Sequence, residues 1–154
     1  GHDKKTRFQM DRTFVPMPTA EGWQLSNAPI LSMAAHHAAL QVFAEAGMPR
    51  VWQKGNALQE YLVFVLKEIN KAYSTPILQI ITPEEKGRHG CQVSMLMLRH
   101  GKEIFQELLN KAVIADWREP NVIRVAPVAL YNRFEDIYLF GEIISSALRT
   151  ISNA

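Results

Sequence analysis

Ile123-Arg124-Val125-Ala126-Pro127-Val128-Ala129-Leu130-Tyr131-Asn132 sets one arginine inside an otherwise apolar run. The run has the composition of a buried strand, rich in branched aliphatic residues and broken off by a proline. A guanidinium taken out of water costs several kcal/mol unless an anion meets it. Its planar fork matches a carboxylate through two parallel hydrogen bonds. The stretch therefore reads as a carboxylate socket centred on Arg124. The carboxylate can come from a substrate or from an Asp or Glu of the chain itself, and this stretch alone leaves both open.

Working outward, Val122 to Val125 and Val113 to Ala115 read as two short strands. Downstream, Phe134 to Ile151 reads as a helix whose Ile137, Phe140, Ile144, Ala147 and Ile151 face inward. Upstream, Lys102 to Lys111 is a short helix. Cys91 to Met97 alternates with the period of a strand, and Ile77 to Ile81 is a second β-type run, with a charged loop between Pro83 and Gly90. Further back, Leu58, Tyr61, Leu62, Val65, Leu66 and Ile69 recur at helical spacing, in a helix that Pro49 opens. Another helix runs from Ser26-Asn27 through Ile30, Ala34, His37 and Phe43 to a stop at Gly47. The order predicts an α+β fold, a short antiparallel or mixed sheet with helices on one face. Residues 1–25 show no sustained period and read as an irregular arm, with 26–154 as one small domain.

The chain of 154 residues, 47% hydrophobic and with a net charge of +2, suits a single core. Its charges form no long runs, which argues against nucleic acid and anionic membrane as partners. Cys91 is the one cysteine, so no internal disulfide can form, and a reducing compartment is expected. No apolar run approaches the ~20 residues of a membrane span, and no secretory signal opens the sequence.

Few residues have the spacing of reactive chemistry. His36 and His37 are helix neighbours that point about 100° apart, a poor arrangement for sharing a metal. His89 and Cys91 make a lone pair, not a closed metal site. The serines lack a glycine elbow, and no phosphate-cradling glycine motif occurs. Ser26-Asn27 carries more: polar side chains at a helix start are ready partners for an anion, commonly a phosphate, although most such caps bind nothing. Trp23 just before it serves equally as a core anchor or as a wall for a flat ring. Tyr131-Asn132 reads as a helix cap that also fills core.

Set side by side, several segments resemble the kynureninase family, pyridoxal-phosphate enzymes of the aspartate-aminotransferase fold type, in their C-terminal portion. The residues that carry the likeness are Gly1-His2, Thr6-Arg7-Phe8, Gly22-Trp23-Gln24-Leu25-Ser26-Asn27 and Pro29-Ile30-Leu31. It continues through Ile80-Ile81-Thr82-Pro83, Gly90-Cys91-Gln92, Asp116 with Arg118-Glu119-Pro120, Ile123 to Pro127, and Leu130-Tyr131-Asn132. Order and intervals agree as well as residue types. Ala112 stands where the family usually has glycine, and Ala28 and Ala129 where it often has proline.

The resemblance implies the small domain of an enzyme that hydrolyses the Cβ–Cγ bond of L-kynurenine or 3-hydroxykynurenine to an anthranilate and L-alanine. It implies that Arg124 grips the substrate α-carboxylate. Ser26 and Asn27 are then expected near the cofactor phosphate and the substrate, in a pocket shared across a homodimer. The Schiff-base lysine and most pyridoxal-phosphate ligands are expected N-terminal to Gly1, in a large domain this chain lacks, so the chain alone is expected to be inactive. A cytoplasmic setting is expected from the lone cysteine and the lack of an apolar span or secretory signal. Two other readings stand beside the kynureninase likeness: part of a related lyase or aminotransferase of the same fold type, and a stand-alone carboxylate-binding or assembly domain.

Overall fold

Leu58, Leu62, Leu66 and Ile69 line one side of a long helix, and all four are buried in the computed structural model, which describes residues 1–152. They organise the larger of two units, Ala46–Ala154; the smaller is Gly1–Glu45. The helix that the sequence groups with the small domain, α1 (Ile30–Ala46), clusters with the smaller unit.

Near the start of the larger unit stands Gly47, whose φ of 80° lies in the left-handed region that glycine enters without strain. Helix α2 (Met48–Lys71) follows, with proline in its first turn. Its apolar stripe meets α4 (Phe134–Ser152), and α4 also packs on α3 (Gly101–Asn110). Gly141 lets α2 and α4 approach closely: a Cβ there would stand 2.7 Å from Val65 Cγ1. Four strands complete the unit: β1 (Leu78–Ile80), β2 (Val93–Met97), β3 (Asp116–Arg118) and β4 (Val122–Val125). Their spatial order is β1-β2-β4-β3, every pair antiparallel, which resolves the expected antiparallel-or-mixed sheet.

Alternation along the strands gives the sheet two faces. Leu78, Val93, Met95, Met97 and Ile123 are buried in one core with the stripe of α2 and with Ile104, Leu108, Ile137, Phe140, Ile144 and Leu148 from α3 and α4. Asn70 ties the edge strand to the end of α2. Its Nδ2 donates to the Leu78 carbonyl at 2.7 Å, and its Oδ1 accepts from the Ile77 and Leu78 amides at 3.0 and 3.2 Å.

Three expectations need correction. The strand expected at Val113 to Ala115 lies three residues later, at Asp116–Arg118. Apolar character suggested the earlier segment, but Ile114 is exposed, and an edge strand needs register with its neighbour more than it needs apolar residues. Trp23 is no core anchor, being 89% exposed in a 3-10 turn, Ala20–Trp23. Tyr131 is exposed and fills no core.

In the smaller unit the chain doubles back, so that His2 bridges to Pro16 and the Asp3 amide donates to the Val15 carbonyl at 2.8 Å. The Val15 amide donates to His2 Nδ1 at 3.1 Å, which leaves the proton of a neutral ring on Nε2, 3.2 Å from Thr6 Oγ1. Helix α1 closes this unit with none of its side chains buried.

Candidate functional site

Arg124 sits in the middle of β4, between Ile123, which points into the core, and Val125. The period of two turns its side chain to the opposite face of the sheet, away from the helices. The register places it in a cross-strand row with Ser94 on β2 and Asp116 on β3. Its side chain is 30% exposed, so it is half-buried and not sealed in.

The chain itself supplies one carboxylate. Asp116 Oδ2 accepts from Arg124 Nε at 2.6 Å and lies 2.5 Å from Arg124 Nη2. The same oxygen accepts from Arg118 Nε at 2.9 Å. The hydrogen bond from Arg124, reinforced by the nearby Arg118 charge, holds the Asp116 carboxyl below its ordinary pKa, against the opposing effect of lost solvation. The sequence left open whether the partner of Arg124 is a protein or a substrate carboxylate, and on the Nε side it is Asp116. Nε and Nη2 form only one edge of the fork. The end formed by Nη1 and the outer N–H of Nη2 is a second edge with the bidentate spacing of a carboxylate. The Asp116 pair uses Nε and Nη2 and leaves Nη1 outside it.

Sequence reasoning missed Asp116 as a partner, although a signal was present. The pairs Asp116–Arg124, Trp117–Ile123 and Arg118–Val122 are symmetric about Pro120. Centring a tight hairpin on Glu119-Pro120-Asn121 would have put the aspartate opposite the arginine. Asn121 secures that hairpin to the sheet: its Nδ2 donates to the Met97 carbonyl at 2.9 Å, and its own carbonyl accepts from the Met97 amide at 2.8 Å.

Past β4 the backbone is braced from within. Asn132 Oδ1 accepts from the Val128 amide at 2.8 Å, and the Asn132 amide donates to the Val128 carbonyl at 2.9 Å. In the first turn of α4, Asp136 accepts from the Arg133 amide at 2.9 Å, the reach-back half of a capping box. That backbone hydrogen bond, with a second from Asn132, holds the Asp136 carboxyl below its ordinary pKa. A cleft of about 570 Å³ opens beside this segment, lined by Val125, Ala126, Pro127, Tyr131 and Phe140 among others.

Ser26 and Asn27 belong to the smaller unit, both exposed. Helix α1 begins at Ile30, and the Met33 amide bonds to the Pro29 carbonyl at 2.9 Å. Pro29 therefore takes the first-cap position, and the pair does not cap the helix as the sequence suggested; it lies in the bend ahead of it. A hydroxyl and an amide still offer O–H and N–H donors of the kind a phosphate accepts. Neither carries charge, so they offer an anion hydrogen bonds but no counter-charge. Every lysine of the chain is exposed.

Comparison with known proteins bears on this arrangement. Residues 51–144, from the start of α2 into α4, match the family described as kynureninase C-terminal domain. A protein named kynureninase from Christiangramia forsetii is 47% identical over 148 residues, covering 96% of this chain and 35% of the relative. Kynureninases from Flavobacterium psychrophilum and Xanthomonas axonopodis pv. citri are 44% and 45% identical, with 96% and 95% of this chain covered. The chain spans about a third of the length of these relatives. Among the described residues no helix is long and apolar enough to cross a membrane.

Proposed function

The chain belongs to the kynureninase family, as its C-terminal domain, and from that premise we propose that it supplies the carboxylate-binding arginine of a complete kynureninase. The reaction proposed is hydrolysis of the Cβ–Cγ bond of L-kynurenine, or of its 3-hydroxy form, to an anthranilate and L-alanine. Arg124 receives the α-carboxylate of the substrate on the edge of its guanidinium that Asp116 does not occupy. With the amino group held as well, fixing that carboxylate restricts rotation about the Cα–N axis and sets which Cα bond stands ready for cleavage, an orientation effect.

Ser26 and Asn27 contribute hydrogen-bond donors to the cofactor phosphate and substrate, in a pocket completed by a second subunit. Pyridoxal phosphate, when bound, supplies the electron sink for the carbanions of such a reaction. The exposed lysines support placing the Schiff-base lysine elsewhere in the complete protein, so this chain by itself is proposed to be inactive. A cytoplasmic homodimer is part of the same reading.

The single observation that carries the proposal is a half-buried arginine, aimed by a strand, whose Nε edge meets one oxygen of Asp116. In the complete enzyme, Arg124→Ala should raise KM and lower kcat/KM by about 2–5 kcal/mol, the range for truncating one partner of a desolvated charge pair. The lower end is expected, because the side chain keeps some solvent contact. Unchanged steady-state kinetics would overturn the reading. Product analysis sharpens it: anthranilate and alanine from kynurenine identify the reaction, whereas amino transfer to a keto acid would assign the domain to a related aminotransferase.

A further inference from the structure

We infer that Asp116 is a positioning residue for Arg124, clamping the Nε edge of the guanidinium so that its Nη1 end is presented to the substrate carboxylate. The inference rests on the carboxylate role proposed for Arg124 and adds the residue that makes that role geometrically definite.

An arginine on a strand can swing about four side-chain torsions, and each one left free lowers the fraction of time the fork points usefully. The structure limits that freedom. Asp116 sits directly opposite Arg124 in the β3–β4 register, and one oxygen engages both Nε at 2.6 Å and Nη2 at 2.5 Å. An oxygen that meets Nε and Nη2 together holds that edge of the guanidinium against β3 and turns the far end, Nη1, away from Asp116. Charge-assisted bonds of this kind are about twice as strong as neutral ones. The aspartate is itself constrained: β3 is a three-residue edge strand closed by a hairpin that Asn121 pins to β2.

The clamp also moderates charge. Asp116 receives Arg118 as well, at 2.9 Å from the same oxygen. The row thus holds two guanidinium groups and one carboxylate, a net positive patch suited to one further carboxylate. Arg118 lies in register with Val122, one step along the sheet, and engages Asp116 through Nε. It serves to hold Asp116 in place and does not itself receive the substrate.

The test uses the complete, pyridoxal-phosphate-loaded enzyme that carries this chain. Asp116→Ala should raise KM for the amino-acid substrate roughly 10- to 100-fold, the scale of a misplaced binding group, with kcat changed about twofold or less. The inhibition constant of the decarboxylated analogue, which lacks the α-carboxylate, should stay the same. Asp116→Asn keeps an acceptor for Nε and should recover part of the loss. Arg118→Ala should leave KM within about threefold of the parent. In an Arg124→Ala background, Asp116→Ala should add nothing, because the group it aims is gone.

Separate outcomes overturn separate claims. If Arg124→Ala leaves KM unchanged, the carboxylate role fails and the clamp fails with it. If Arg124→Ala raises KM while Asp116→Ala does not, only the clamp fails. Equal loss of affinity for the decarboxylated analogue would make Asp116 a general structural residue and overturn the inference. Were Asp116→Ala too unstable to assay, Asp116→Asn carries the test alone: a KM for the substrate indistinguishable from the parent, or one raised equally for the analogue, overturns the clamp.

Discussion

Helix α1 is shorter and more apolar than α2, 17 residues against 24, yet it is α2 that builds the core. Helix α1 contains Ile30, Leu31, Met33, Leu40, Val42 and Phe43, and not one of its residues is buried. Helix α2 interleaves apolar residues with Arg50, Lys54, Glu60, Lys67 and Glu68, and buries Leu58, Leu62, Val63, Leu66 and Ile69. Arrangement outweighs amount, because the less apolar helix is the one that buries its residues. Most apolar residues in α2 fall on one stripe that a single neighbouring layer can cover, while Trp52 and Phe64 stay exposed outside it. In α1 they are spread around the axis, and no single face can be covered to advantage. Apolar content measures how much surface would gain from burial; periodicity decides whether the domain's own layers can provide it.

Substitutions can break or sharpen that contrast. The largest effect belongs to Leu66→Ala, which removes a fully buried side chain from the stripe. It should lower the stability of this chain by about 2–5 kcal/mol, read as a lower urea midpoint by circular dichroism. A loss under about 1 kcal/mol would mean that the stripe of α2 is not what organises the core. Gly141→Ala comes next, adding a methyl against the stiff, branched Val65 where α4 crosses α2. The expected cost is about 1–3 kcal/mol from overpacking, and a stabilised variant would show that the helices can separate freely at that crossing. The smallest effect is expected from Leu31→Ala, since that side chain is 87% exposed on α1. Its urea midpoint should correspond to a change within about 0.5 kcal/mol; a loss as large as that of Leu66→Ala would erase the contrast.

The same logic explains how much could be read in advance. The stripe of α2, the inward face of α4 and the alternation of Val93, Met95 and Met97 were legible because periods of 3.6 and 2 are imposed by backbone geometry. The position of β3 was not. Asp116-Trp117-Arg118 has no strand-like pattern of its own, and it becomes a strand by pairing with Val122 to Arg124. The start of α1 was misjudged for a related reason: Ser26 and Asn27 have the chemistry of caps, yet the first helical amide bond is made to Pro29. Local propensity offered two starting points a few residues apart and did not choose between them.

For the site, the arginine was visible and its setting was not. An Arg in an apolar run demands a carboxylate wherever it sits, because desolvation of a cation is costly in any fold. That demand, the helical stripes and the α+β order belong to the sequence alone, since each follows from local geometry or from the solvation of a single group. Tertiary structure decided that Arg124 faces away from the helices and that Asp116 is the carboxylate taking its Nε edge. Those outcomes depend on strand register, and register is a property of two segments held side by side, which neither segment encodes by itself.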